Sequence, residues 1–146
     1  MSDLAGHLAT IDRLRARDFP ARPRRDVHVV SGPGYHTVEL ATSEEFWEDD
    51  GTARPAAEEQ YEAECGALCG LLTGRWGEPQ LVGLGGALLR SEEGEEIPEP
   101  WRTLCGSVPY VELWWAEGRW IAVGVSRQGP ELPLQLIAAV TVNDPP

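Results

Sequence analysis

The stretch YVELWWAEGRW, residues 110–120, sets two tryptophans side by side and a third five positions on, across a Glu-Gly pair. If Glu117-Gly118 is a two-residue turn, with glycine taking the positive φ such a turn needs, strict pairing puts Ala116 opposite Arg119, Trp115 opposite Trp120 and Trp114 opposite Ile121. Alternation then gives one face to Val111, Leu113, Trp115, Trp120, Ala122 and Gly124. Tyr110, Glu112, Trp114, Ile121, Val123 and Val125 take the other. Both faces are apolar, so both must be covered. Helices on one side, with the loops of Trp47, Trp76 and Trp101 folded over part of the other, meet that demand. The alternative leaves the Trp115/Trp120 side, with small Ala122 and Gly124 beside it, as a shallow docking site or a homodimer contact. Glu112 stands alone among apolar neighbours; burial there would raise its pKa and make it a general-acid candidate, but the simpler reading is that it reaches an arginine or a sheet edge.

Outward from this hairpin, Leu4, Leu8, Ile11 and Leu14 mark a first helix, capped by Ser2 and ended at Phe19-Pro20. An extended linker over 20–26 leads to strands "DVHVVS" and "YHTVELAT" around a three-residue Gly32-Pro33-Gly34 loop, which sets Val30 opposite His36 and His28 opposite Val38. Pro55 suits the first turn of a second helix. Its buried stripe is Tyr61, Cys65, Leu68, Cys69 and Leu72, and Gly74 terminates it. Gly66 and Gly70 inside it suggest close approach by a neighbouring element. A short strand segment follows, with candidates at Gln80–Leu84 and Ala87–Arg90 broken by Gly85-Gly86, then an exposed acidic loop, then long strands at Val108–Ala116, Arg119–Ser126 and Leu134–Val142. The order α-β-β-α-β-β-β-β implies a single α+β domain over 1–146. It has two layers, two main helices packed on a largely antiparallel sheet of about five to six strands.

A chain of 146 residues with 42% hydrophobic residues and six tryptophans is too apolar for disorder and large enough to bury one core. All twelve basic residues are arginine, and the Ala, Gly and Pro content resembles that of proteins from GC-rich bacteria. Residues 1–25 hold six arginines against Asp3, Asp12 and Asp18, whereas the rest of the chain holds six against twenty-one acids, within a net charge of −12. Such a field repels nucleic acid and anionic membranes and attracts basic proteins. No run suits a signal peptide or a membrane span, and three cysteines, an odd number, fit free thiols in the cytoplasm.

Catalytic signals are absent. Cys65, Cys69 and Cys105, with His28 or His36, lack the spacing of zinc knuckles, and core packing is the simpler reading. His28 and His36 share a face of the modest first hairpin, but Glu39 points away from them by alternation, which weakens an acid-base or metal site. "GLGG" at 83–86 reads as a turn rather than a phosphate loop. No metal, cofactor or catalytic residue is therefore expected. The acidic runs "EEFWEDD" (44–50) and "EEGEEIPE" (92–99) are either solvated loops or, with their embedded aromatics, decoys for a basic cleft.

"LLTGRWGEP", followed by "VELWWAEGRWIAVGVS" and "LPLQLIAAVTV", resembles a pattern in small acidic actinobacterial proteins, among them immunity-type proteins of polymorphic toxin systems. The resemblance covers about residues 68–142. It implies a cytoplasmic α+β protein that neutralises a toxin by binding it, and it carries no catalytic residue. The expectation is thus a non-enzymatic acidic protein that occludes a basic protein partner through Glu45, Trp47, Asp49, Asp50, Glu93, Glu95, Glu96 and Trp115. The alternative is a small-molecule carrier or sensor with a pocket between sheet and helices, lined by Tyr110, Glu112, Trp115 and Trp120.

Overall fold

A computed structural model describes residues 3–48 and 50–146. In chain order the elements are α1 (Leu4–Ala16), β1 (Arg24–Arg25), β2 (Val29–Gly32), β3 (Tyr35–Thr42), α2 (Ala53–Trp76), β4 (Gln80–Gly83), α3 (Gly85–Glu92), α4 (Trp101–Cys105), β5 (Tyr110–Ala116), β6 (Arg119–Arg127) and β7 (Leu134–Thr141). This is an α+β fold, four helices on one antiparallel sheet ordered β1-β2-β3-β7-β6-β5-β4. The sheet has seven strands where five to six were expected, because Arg24–Arg25 of the linker pairs with Val30 and Ser31 as an added edge.

The 110–127 hairpin pairs as alternation requires: Ala116 with Arg119, Trp115 with Trp120, Trp114 with Ile121. Glu117 and Gly118 both take positive φ, 52° and 87°, the geometry of the primed two-residue turn. The last strand, β7, inserts between β3 and β6, and six of its eight residues are buried. Its Ala138 and Ala139 face opposite sides and keep both layers close.

One face of the sheet carries α1 and α2. Ile11, Leu14, Leu68, Leu72, Trp114, Ile121, Leu136 and Val140 meet there in the larger core cluster. Trp76 belongs to this side, edge-on to Trp114, whose Nε1 donates to the Gly77 carbonyl at 2.9 Å. The opposite face carries the short α3 and α4 over Val111, Leu113, Ala122 and Ala139, with Trp101 at the centre. The two main helices are as expected. The second pair replaces the expected strand at Ala87–Arg90 and part of the acidic loop, because a short apolar run bounded by glycines suits either element and Leu84, Ala87, Trp101 and Leu104 bury well on a helical face. Gly85-Gly86 accordingly open α3 instead of forming a turn. Trp101 covers the second face as foreseen, whereas Trp47 is 60% exposed.

Element ends differ locally. Ser2 lies outside the described residues, and Asp3 caps α1 by accepting from Gly6 N at 3.1 Å. The helix ends at Ala16, before Phe19-Pro20. Arg119 donates to the Leu14 and Arg17 carbonyls at 3.0 and 2.7 Å, and its guanidinium lies 4.0 Å from the Phe19 ring centre. α2 runs past Gly74 to Gly77, which has φ 85°. A Cβ on Gly66 or Gly70 would meet nothing within 4 Å, so neither glycine serves a close approach. In the first hairpin the loop has two residues, not three. Ser31 therefore faces His36, Val30 faces Thr37 and Val29 faces Val38, a one-residue change that reverses which residues share a side.

Candidate functional site

The indole of Trp115 is held on β5 and packs edge-on against Trp120, with ring centres 4.8 Å apart and Trp115 53% exposed. Trp120 Nε1 donates to Asp144 at 3.1 Å. Next to Asp144, Asn143 donates to the Glu99 carbonyl at 2.7 Å and accepts from Trp101 Nε1 at 3.1 Å. The segment after β7 therefore ties the second acidic run to the Trp115/Trp120 pair at one end of one sheet face. Glu93, Glu95 and Glu96 are exposed there, Glu95 paired with Arg90 at 2.9 Å. Ala122 and Gly124, expected beside the tryptophans on an open face, are buried under Val108, Val111 and the short helices.

The first acidic run lies elsewhere. Ser43 and Phe46 bond through their amides to the Leu134 and Glu131 carbonyls, at the other end of β7, and Phe46 enters the α1/α2 core. Glu45 accepts from Trp47 Nε1, and Asp50 accepts from Thr52 ahead of α2. Asp49 lies outside the described residues. The fold thus parts the eight expected docking residues. Glu93, Glu95 and Glu96 belong to the run whose Glu99 is tied towards the Trp115/Trp120 end, and Glu45, Trp47 and Asp50 to the run anchored at the other end of β7.

The four residues expected to line one pocket also divide. Trp115 and Trp120 face α3 and α4, whereas Tyr110 and Glu112 border a cavity of about 130 Å³ on the α2 side with Glu62, Cys65, Gly66 and Leu81. Tyr110 Oη donates to Glu62 at 3.2 Å, and Glu62 also pairs with Arg127. The charge of Glu62, together with burial, pushes the Tyr110 pKa up. Beneath them the thiols of Cys65 and Cys69 lie 4.0 Å apart, and one oxygen of Glu112 joins them so that the three atoms are all within 4.8 Å of one another. The hydrogen bond it shares with Cys65, then burial and the Glu112 carboxylate, push the Cys69 thiol far up, so it is neutral. Cys105 is in the other core, where burial raises it as well.

The two histidines are separated. His36 is fully buried, its Nε2 donating to the Arg17 carbonyl at 3.3 Å while Ser31 Oγ donates to Nδ1 at 2.6 Å. Burial, aided by the charges of Arg17 and Arg119, lowers its pKa despite that carbonyl bond. His28 is exposed, and its Nδ1 lies 2.9 Å from Glu39, so the expectation that Glu39 points away from His28 is reversed by the hairpin register. Gln135 donates to the other Glu39 oxygen at 2.6 Å. These residues border an open groove of about 190 Å³ with Thr37, Thr103, Ser107 and Ser126. Ser126 Oγ is buried without a hydrogen bond among the described residues. Gln135, Ser126, Asn143 and Asp144 went unread in sequence because each owes its place to the insertion of β7, a pairing that no local pattern announces.

The chain matches no protein-family model, no curated protein and no solved structure. No helix among the described residues is long and apolar enough to cross a membrane.

Proposed function

We propose that the protein is a non-enzymatic, cytoplasmic binding protein that occludes a basic protein partner, docked on the end where Trp115 meets the 92–99 loop. An immunity-type role, the neutralising of a toxin by capping its basic cleft, is the concrete form of this reading. The observation that carries it is the exposed Trp115 indole on β5, packed on Trp120, whose partner Asp144 follows the Asn143 that holds Glu99 of the second acidic run. A large aromatic anchor costs little entropy to immobilise, and carboxylates around it steer and orient a cationic surface. The net charge of −12 supports the same polarity of partner. The 44–50 run, at the far end of β7, contributes to the long-range field and not to the contact. The split of Tyr110 and Glu112 from Trp115 and Trp120 disfavours the carrier with a single Trp-lined pocket.

The test is affinity isolation from host lysate, followed by binding measurements on the purified partner over a range of salt. Wild type binds a basic protein with affinity that falls steeply as salt rises. Trp115→Ala weakens it by about 30-fold or more, the scale of an interface anchor. Charge reversal at Glu93, Glu95 and Glu96 removes the salt dependence, while reversal at Glu44, Glu45 and Asp50 changes mainly the on-rate. Salt-independent homodimerisation through Trp115, or equal loss from both sets of reversals, would sink the reading.

A further inference from the structure

We propose that Cys65, Cys69 and Glu112 form a site for a thiophilic divalent cation of the zinc class, three protein ligands with a fourth position open to the cavity beneath Tyr110. Two cysteines one turn apart on the buried stripe of α2 are explained by core packing alone. A carboxylate set against them from β5 is not. Among the described residues Glu112 forms no salt bridge, and Arg127 pairs with Glu62 at the rim of the same cavity. Across the ladder Glu112 faces Leu81 and Val123, and Glu62, Cys65 and Tyr110 border the same cavity. A carboxylate oxygen this close to two thiols supplies the third ligand that a bound cation would share with them.

The spacing suits that occupant. In a tetrahedral zinc site with Zn–S of about 2.3 Å, adjacent sulfurs sit about 3.8 Å apart and a carboxylate oxygen slightly closer. The thiols here are 4.0 Å apart and the three ligand atoms lie within 4.8 Å, so rotamer adjustments of up to about 1.3 Å close the shell. Two sulfurs exclude magnesium and calcium, and the oxygen favours zinc over copper(I). The thiol protons are no obstacle, since a bound cation displaces them. One M²⁺ enters, the two S–H bonds break, two metal–thiolate bonds form, and two protons leave to solvent. Water reaches the fourth position through the cavity of about 130 Å³ that Glu62 and Tyr110 border.

The probe is Co²⁺ added to the full chain under reductant and without oxygen. One equivalent produces the sulfur-to-cobalt charge-transfer absorption, which Zn²⁺ displaces. Cys105→Ser retains the band, the Cys65→Ser and Cys69→Ser variants each lose it in large part, and Glu112→Gln weakens Zn²⁺ binding by at least about 10-fold, the scale even of outer-shell partners. If a cysteine variant does not fold, wild type alone still decides the matter. Zinc binding followed by calorimetry in buffers of different ionisation enthalpy releases about two protons per metal. Absence of the band, its survival in the double Cys65→Ser/Cys69→Ser variant, its loss in folded Cys105→Ser, or zinc binding without proton release would each overturn the site. It lies on the face opposite Trp115, so this claim and the docking claim fail independently.

Discussion

The two faces of the sheet are covered by unequal means. Helices of 13 and 24 residues close one, and helices of 8 and 5 residues cover only part of the other. The consequence is chemical as much as structural. On the heavily covered face Cys65, Cys69 and Glu112 meet under α2, beside the cavity that Glu62 and Tyr110 border. The lightly covered face leaves its margins open, with Trp115 and the acidic loop at one end and the His28–Glu39 groove at the other. Groups suited to coordination lie inside the first, and groups suited to contact lie along the second.

The sharpest way to break that contrast is to test whether the thin layer is structural at all. Trp101 is fully buried at its centre, and its Nε1 holds the segment after β7. Trp101→Ala should cost about 3–5 kcal/mol, as much as or more than Leu72→Ala in the thick layer at about 2–5 kcal/mol. Urea denaturation measures both. A loss below about 1 kcal/mol for Trp101→Ala would mean that the short helices are mere cladding and that the protein rests on one core.

A smaller effect tests how closely the thin layer sits. A Cβ on Gly124 would stand 2.8 Å from the Tyr110 carbonyl oxygen and 2.8 Å from Val108 Cγ1. The first of these is backbone and cannot swing away. Gly124→Ala should therefore destabilise by about 1–3 kcal/mol. An unchanged melting temperature would show that β5 and β6 are looser than their pairing implies.

Much of this was legible along the chain and some was not, for definable reasons. The 110–127 hairpin could be read residue by residue because the period of a strand is two and a Glu-Gly turn fixes the register. The stripe of α2 was equally plain. The short helices were not, since "LGGALLR" and "EPWRTLC" are each too brief for a period to declare itself. Strand order was beyond local reading as well. Only the insertion of β7 between β3 and β6 sends the two acidic runs to opposite ends, and only the approach of β5 to α2 sets Glu112 against the two thiols.

The boundary between α1 and the sheet responds to acid. His36 is neutral in the fold because burial, with Arg17 and Arg119 nearby, lowers its pKa below 6.5. The unfolded chain then takes up the proton first. Stability from this group is complete above about pH 6.5 and is lost as pH falls from there towards the lower native value. In His36→Gln that part of the acid slope should disappear from denaturation midpoints measured across the window. Asp26, beside Arg17, and Asp18, near Arg119, remain in the variant, so a slope that persists undiminished would mean that His36 does not set it.

The smallest effect concerns the outer surface of the thick layer. Gly66 and Gly70 sit inside α2, where sequence suggests a close neighbour, yet both are exposed and an added methyl meets nothing. Both retain helical backbone, so alanine fits without strain and restricts only the unfolded chain. Each of Gly66→Ala and Gly70→Ala should raise stability by about 0.4–1 kcal/mol, and the pair should be additive because no partner is shared. Destabilisation by either would mean that something covers that side of α2. The layer would then be an interface, and the unequal coverage of the sheet would describe the isolated chain rather than the working assembly.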